Sequence, residues 1–119
     1  ETAFHVACAY GHSEIAEMMM KKSAALDIDL NNKNSQAFHL ACCAGHLEIA
    51  EMMMKKSSKL KIDLNSKDQV GRTAFHAACF FGCIIIVGMI MKNSSELKID
   101  LNTKDNYGLT AFHFMVIRK

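Results

Sequence analysis

The sequence predicts an all-α solenoid of stacked helix pairs, and three observations predict it. The word Ala-Phe-His recurs at residues 3–5, 37–39, 74–76 and 111–113, with histidine spacings of 34, 37 and 37. A fixed period of that size marks units that stack on one another. The first two units, compared over residues 2–33 and 36–67, match at 23 of 32 positions. The second half of each unit is apolar around so wide an arc that it needs neighbours on several sides.

Composition sets the outer limits. The chain of 119 residues is read as one domain over residues 1–119, divided into repeats 2–35, 36–72 and 73–109 and a half-repeat 110–119. A net charge of only +2 does not favour nucleic acid as a partner. The longest apolar run, 83–91, is too short to span a bilayer, and no signal-peptide pattern opens the chain. Five cysteines, an odd number within a repeat pattern, read as reduced thiols of an intracellular protein, cytoplasmic or nuclear.

Each unit opens with a short helix. Thr73 is a suitable N-cap, because its hydroxyl accepts from a free backbone N–H. Residues 74–81 make about two turns, and Gly82 permits the positive φ that ends them. Ala77, Ala78 and Cys79 keep this helix thin enough for close packing.

The second helix runs from about Leu47 to Lys56 in repeat two. Glu48, Glu51 and Lys55 form one narrow polar stripe, repeated as Glu14, Glu17 and Lys21 in repeat one. Leu47, Ile49, Ala50 and Met52 to Met54 cover the rest. The sequence predicts that these helices continue past Lys56 toward Leu60, and equally toward Leu26 and Leu97. Leu60 lies two helical turns beyond Met53, on its face. Beyond the helix, residues 60–65 alternate apolar and polar as in an extended arm. Asp68-Gln69-Val70-Gly71 and Asp105-Asn106-Tyr107-Gly108 then read as turns.

Repeat three departs from this pattern. Ile85 and Gly88 stand where repeat two has Glu48 and Glu51, so the polar stripe is erased. A glycine in mid-helix costs about 1 kcal/mol relative to alanine. Ile85 is therefore expected to be markedly more exposed than Ile49 or Ile15. Cys83, Ile85 and Gly88 form a candidate second patch for a partner or for self-association.

The words Thr73-Ala74-Phe75-His76, Gly45-His46-Leu47-Glu48-Ile49, Asp63-Leu64-Asn65 and Asp68-x-x-Gly71 resemble those of ankyrin repeats, across the whole chain. The resemblance implies helix pairs with short, extended, hairpin-like fingers. It also implies recognition of a protein partner through the concave first helices and finger tips. The family's variable positions fall on Ala9, Tyr10, Cys43, Ala44, Phe80 and Phe81, and on the fingers at Gln69, Val70, Arg72, Asn106, Tyr107 and Leu109. The chain departs from the family in its 37-residue intervals, which imply second helices longer by about a turn. It departs also in Ala for the family's proline and in Met-Met-Met for Leu-Leu-Leu.

His5 with Cys8, His39 with Cys42 and His76 with Cys79 each place two zinc-ligand types one turn apart. The resemblance makes the histidine a structural hydrogen-bonding residue instead, and no closed four-ligand set is visible. No cofactor is implied, and no phosphate loop or nucleophile word points to catalysis. The expectation is thus a non-catalytic protein-binding module, with no nucleic-acid or membrane partner. An engineered scaffold without a natural partner is the alternative, since the repeats are nearly identical and no tails flank them.

The first interval is three residues short. Asn34-Ser35-Gln36 stands where repeat two has Asp68-Gln69-Val70-Gly71-Arg72-Thr73, so the turn's glycine and the capping threonine are gone. Either the finger is truncated, or a loop tip is missing between Asn34 and Ser35. The closely matching flanks favour the second reading.

Overall fold

A computed structural model describes residues 3–26, 31–60 and 62–117. They form α1 (Ala3–Ala9), α2 (Ser13–Leu26), α3 (Asn31–Ala44), α4 (Leu47–Lys55), α5 (Ser57–Leu60), α6 (Ala74–Phe80), α7 (Ile84–Leu97) and α8 (Ala111–Ile117). Among the described residues there is no strand. The helices stack in two rows. First helices α1, α3, α6 and α8 pack side by side, and second helices α2, α4 and α7 do the same behind them. The principal extents of 42, 26 and 23 Å reflect this linear addition of pairs.

The Ala-Phe-His word has a distinct role at each position. Ala37, Ala74 and Ala111 are buried where neighbouring first helices touch. Phe38 and Phe75 fill the core, and Phe75 meets Phe112 edge to face at 5.6 Å between ring centroids. His76 is a cap and a fastener at once. Its backbone N–H donates to the Thr73 hydroxyl, while its Nδ1 accepts from Thr73 N–H, closing a capping box with histidine in the place of the usual glutamate. Its Nε2 donates to the Leu109 carbonyl at 3.0 Å, so the ring ties α6 to the next turn.

The wide apolar arc of the second helices is explained by the row they form. In central α4, Ile49, Ala50, Met53 and Met54 are all buried. At each end of the row one of the equivalent positions lacks a cover: Ile15, matching Ile49, and Met91, matching Met54, are exposed. Ile85, at 69 % exposure, is more open than Ile49 at 0 %, and modestly more than Ile15 at 51 %, because Ile15 lies on the uncovered side of α2.

Helices α2 and α7 reach Leu26 and Leu97, the end points the pattern predicts. Repeat two differs: its helix breaks at Lys56 before resuming as α5. Two features of α7 are absent there. Asn93 Nδ2 donates to the Met89 carbonyl at 2.8 Å, where repeat two has Lys56. Lys92 and Glu96 are an attractive i,i+4 pair, whereas their counterparts Lys55 and Lys59 repel.

The missing-loop expectation is overturned. Helix α3 runs without interruption through Asn34 and Ser35, starting at Asn31. With no glycine to take a positive φ and no aspartate to organise a turn, the shortened interval continues as helix. The first helix of repeat two is therefore 14 residues long rather than two turns.

Candidate functional site

Two turns, 68–72 and 105–109, stand at the edge of the first-helix row. Each is built by its aspartate. Asp68 Oδ1 accepts from Val70 and Arg72 N–H, and Asp105 Oδ1 accepts from Tyr107 and Leu109 N–H, all at 2.9 Å. The backbone bonds Asp68 N–H to Arg72 carbonyl and Asp105 N–H to Leu109 carbonyl close them. The turns then join one another: Asn106 N–H donates to the Val70 carbonyl at 2.9 Å, and Asn106 Nδ2 to the Gln69 carbonyl. Gly71, at φ +80°, permits this approach, since a Cβ there would stand 2.5 Å from Asn106 Oδ1. The fingers of this protein are thus linked turns rather than paired strands.

Arg72 spans the junction. Its Nε donates to Asp105 Oδ2 at 3.1 Å, and its guanidinium lies 5.0 Å from the centre of the Phe114 ring. Burial pushes the Asp105 carboxyl up, but the N–H groups of Leu109 and Tyr107 and the Arg72 guanidinium outweigh it and hold the group below the ordinary aspartate range. Arg72 is therefore committed to the stack. Leu109 is likewise half-buried against the core.

The remaining candidates separate into two groups. Tyr10, Ala44 and Phe81 occupy equivalent positions at the C-terminal ends of α1, α3 and α6, which the row aligns, with Ala9, Cys43 and Phe80 beside them. Tyr10 is 73 % exposed and Phe81 50 %. Phe80 is half-covered, meeting Phe81 and Phe114 edge to face at 5.0 and 5.5 Å. On the turns, Gln69, Asn106 and Tyr107 are exposed and Val70 is half-buried. Phe114 was not legible as a site residue, yet it positions both Arg72 and Phe80. Its one signal is size, since the same place in the other units holds Val6, Leu40 and Ala77.

The second patch is partly assembled. Ile85 and Gly88 line a groove between α4 and α7, whereas Cys83 sits at the start of α7 and packs against the core.

The His/Cys pairs show hydrogen bonding rather than open ligand positions. Both ring nitrogens of His76 are engaged, and His39 Nε2 donates to the Ser66 carbonyl at 2.8 Å. Burial pushes the Cys8 thiol up to about 12 and that of Cys79 up to about 11. Burial also raises Cys42, with smaller contributions from Cys43 and Cys83. His5 lies outside the residues whose side chains are described. Among the described residues no group of three or more metal-ligating side chains converges, and no helix is long and apolar enough to cross a membrane.

Comparison with known families gives one result: the family model for ankyrin repeats, in three copies, matches residues 1–68. No curated protein matches the chain. Residues 69–119 lie outside that match, but the same Ala-Phe-His words open α6 and α8 there.

Proposed function

Because the chain belongs to the ankyrin-repeat family, whose members are generally non-catalytic protein-interaction modules, we propose that it binds a protein partner. The contact surface comprises the ends of the first helices and the tips of the linked turns. The observation that carries this reading is the set of open aromatic side chains on a fixed frame: Tyr10, Phe81 and Tyr107 are each at least half exposed. Rigid aromatic groups contribute large contact area at little entropic cost, and they dominate binding energy in protein interfaces. The clamp of Arg72, Asp105 and Phe114 fixes the turn that carries Tyr107 and supports Phe80. Gln69, Val70, Asn106 and Cys43 supply the surrounding contacts. The free, buried thiols suit an intracellular setting, where cysteines stay reduced.

A photo-crosslinking residue placed at Phe81 or Tyr107, with Lys59 as an outer-face control, tests the reading. The first two positions should capture a common protein that the control does not. Phe81→Ala and Tyr107→Ala should then each weaken its binding about tenfold or more, measured by titration calorimetry. Equal capture from Lys59, with binding indifferent to both substitutions, would sink the proposal. The near identity of the first two repeats favours a second reading, an engineered scaffold without a natural partner. That reading predicts no specific capture from any position.

A further inference from the structure

The outer face, opposite in character to the turns, carries a groove of about 670 Å³ between α4 and α7. Leu47, Met54, Ile85, Met89 and Leu97 give it apolar walls. Beside it, Ile84 and Ile85 stand out as a ridge, 81 % and 69 % exposed. Gly88 makes a notch in the wall. Nothing within the chain requires a glycine at that place. Its φ is not positive, and a Cβ added there would meet no atom within 4 Å. A helix interior ordinarily disfavours glycine, so the residue lowers stability without any return inside the monomer. Close approach of another backbone is the one common use of such a notch that the monomer leaves open.

We propose that this groove is the contact surface between two copies of the chain, related by a two-fold axis, with the α7 helices crossing antiparallel near Gly88. Two features select a second copy over an unrelated helix. Ile85 stands on the α7 wall of the groove and is largely exposed, so one copy's Ile85 can enter the other's groove while receiving the reciprocal contact; a two-fold interface demands this self-complementarity. The rim charges are also balanced. Glu51 and Lys55 line the α4 side, and Lys92 and Glu96 the α7 side. In repeat register Glu51 is level with Gly88 and Lys55 with Lys92. An antiparallel copy centred between Gly88 and Lys92, with α7 over its α7 and α4 over its α4, therefore brings its Lys55 opposite Glu51, and its Glu51 opposite Lys55. A rim of one sign would repel its own copy. The surface spans α4, about two and a half turns long, and α7, about four, small for a permanent dimer, so association is weak and concentration-dependent.

Sedimentation velocity on the 119-residue chain, from about 10 µM to about 500 µM at low salt, should show the monomer giving way to a dimer. Gly88→Leu fills the notch and should weaken dimerisation at least tenfold with an unchanged helical circular dichroism spectrum. Gly88→Ala should raise the melting temperature of the dilute monomer by about 4 °C, since its methyl meets nothing there. Lys55→Glu should weaken the dimer severalfold, and Glu51→Lys combined with Lys55→Glu should restore it. This charge swap stands as a test even where Gly88→Leu fails to fold. A monomer at every concentration overturns the proposal. So does a dimer indifferent to Gly88→Leu, or a charge swap that does not recover. A different protein that occupies the groove while the chain alone stays monomeric overturns it as well.

Discussion

Helices α3 and α6 carry the same Ala-Phe-His word, and the word does different work in each. Helix α6 begins at Ala74, directly after a turn, with Thr73 as its cap. His76 is there 1 % exposed, its Nδ1 accepting from Thr73 and its Nε2 donating to Leu109. Helix α3 begins six residues before its Ala-Phe-His word, so Gln36 lies within the helix where Thr73 is a cap. His39 is half-buried, and among the described residues its ring bonds outward, to Ser66. The difference traces to three residues lost from one turn. Without its aspartate and glycine the turn does not form, the helix starts earlier, and the capping role disappears. What remains at α3 is apolar packing by Ala37, Phe38, Ala41 and Cys42.

The comparison is sharpest at the two histidines. His76→Ala leaves the buried Thr73 N–H without its partner and takes from the Leu109 carbonyl one of its two bonds, the other coming from Asp105 N–H, and should cost about 2 kcal/mol. His39→Ala removes one half-buried bond and should cost about 1 kcal/mol. Urea unfolding of the two variants against the parent chain measures both. Equal losses would mean that the cap contributes little, and that the two helices are held alike despite their different starts.

The repeat period and the packing of the Ala-Phe-His word were legible because they follow from local pattern: small, aromatic and polar residues at fixed steps along a helix. The ends of α2 and α7 were legible for the same reason. The start of α3 was not, because Asn31, Asn32, Asn34 and Ser35 are ordinary turn residues, and their helical state depends on what the shortened interval lacks. The role of Arg72 was hidden too. A charged residue at a turn reads as free surface until the next repeat supplies Asp105 and Phe114. Exposed aromatics such as Tyr10, Phe81 and Tyr107 could be read, since nothing in the repeat pattern uses them.

Acid should separate the two regions as well. The carboxyl of Asp105 is held below the ordinary aspartate range, so the folded state binds its proton less readily than the unfolded chain does. The stabilisation is then fully present above about pH 4, where a free aspartate is ionised, and is lost as pH falls through the lower folded value. The amide resonances of Tyr107 and Leu109 should titrate with a midpoint below that of a free aspartate, while the amides of α3 around Cys42 stay unmoved. Asp105→Asn should abolish the transition. A midpoint at or above the free value would contradict the assignment of the Arg72 clamp.

The smallest expected effect decides the question of the α3 start by its sign. If Gln36 were the N-cap of a short helix, as Thr73 is for α6, Gln36→Thr would install the missing hydroxyl and stabilise the protein by about 1 kcal/mol. Because α3 already runs through residue 36, that hydroxyl meets no free N–H of a first turn. The change instead places a β-branched residue inside a helix, which costs χ1 freedom and should destabilise by about 0.3 kcal/mol. Replicate urea titrations resolve the two cases, since they lie more than 1 kcal/mol apart. A gain in stability would return α3 to two turns, with the chain before it shaped as a turn after all. A small loss would establish that removing three residues converted the first finger into helix.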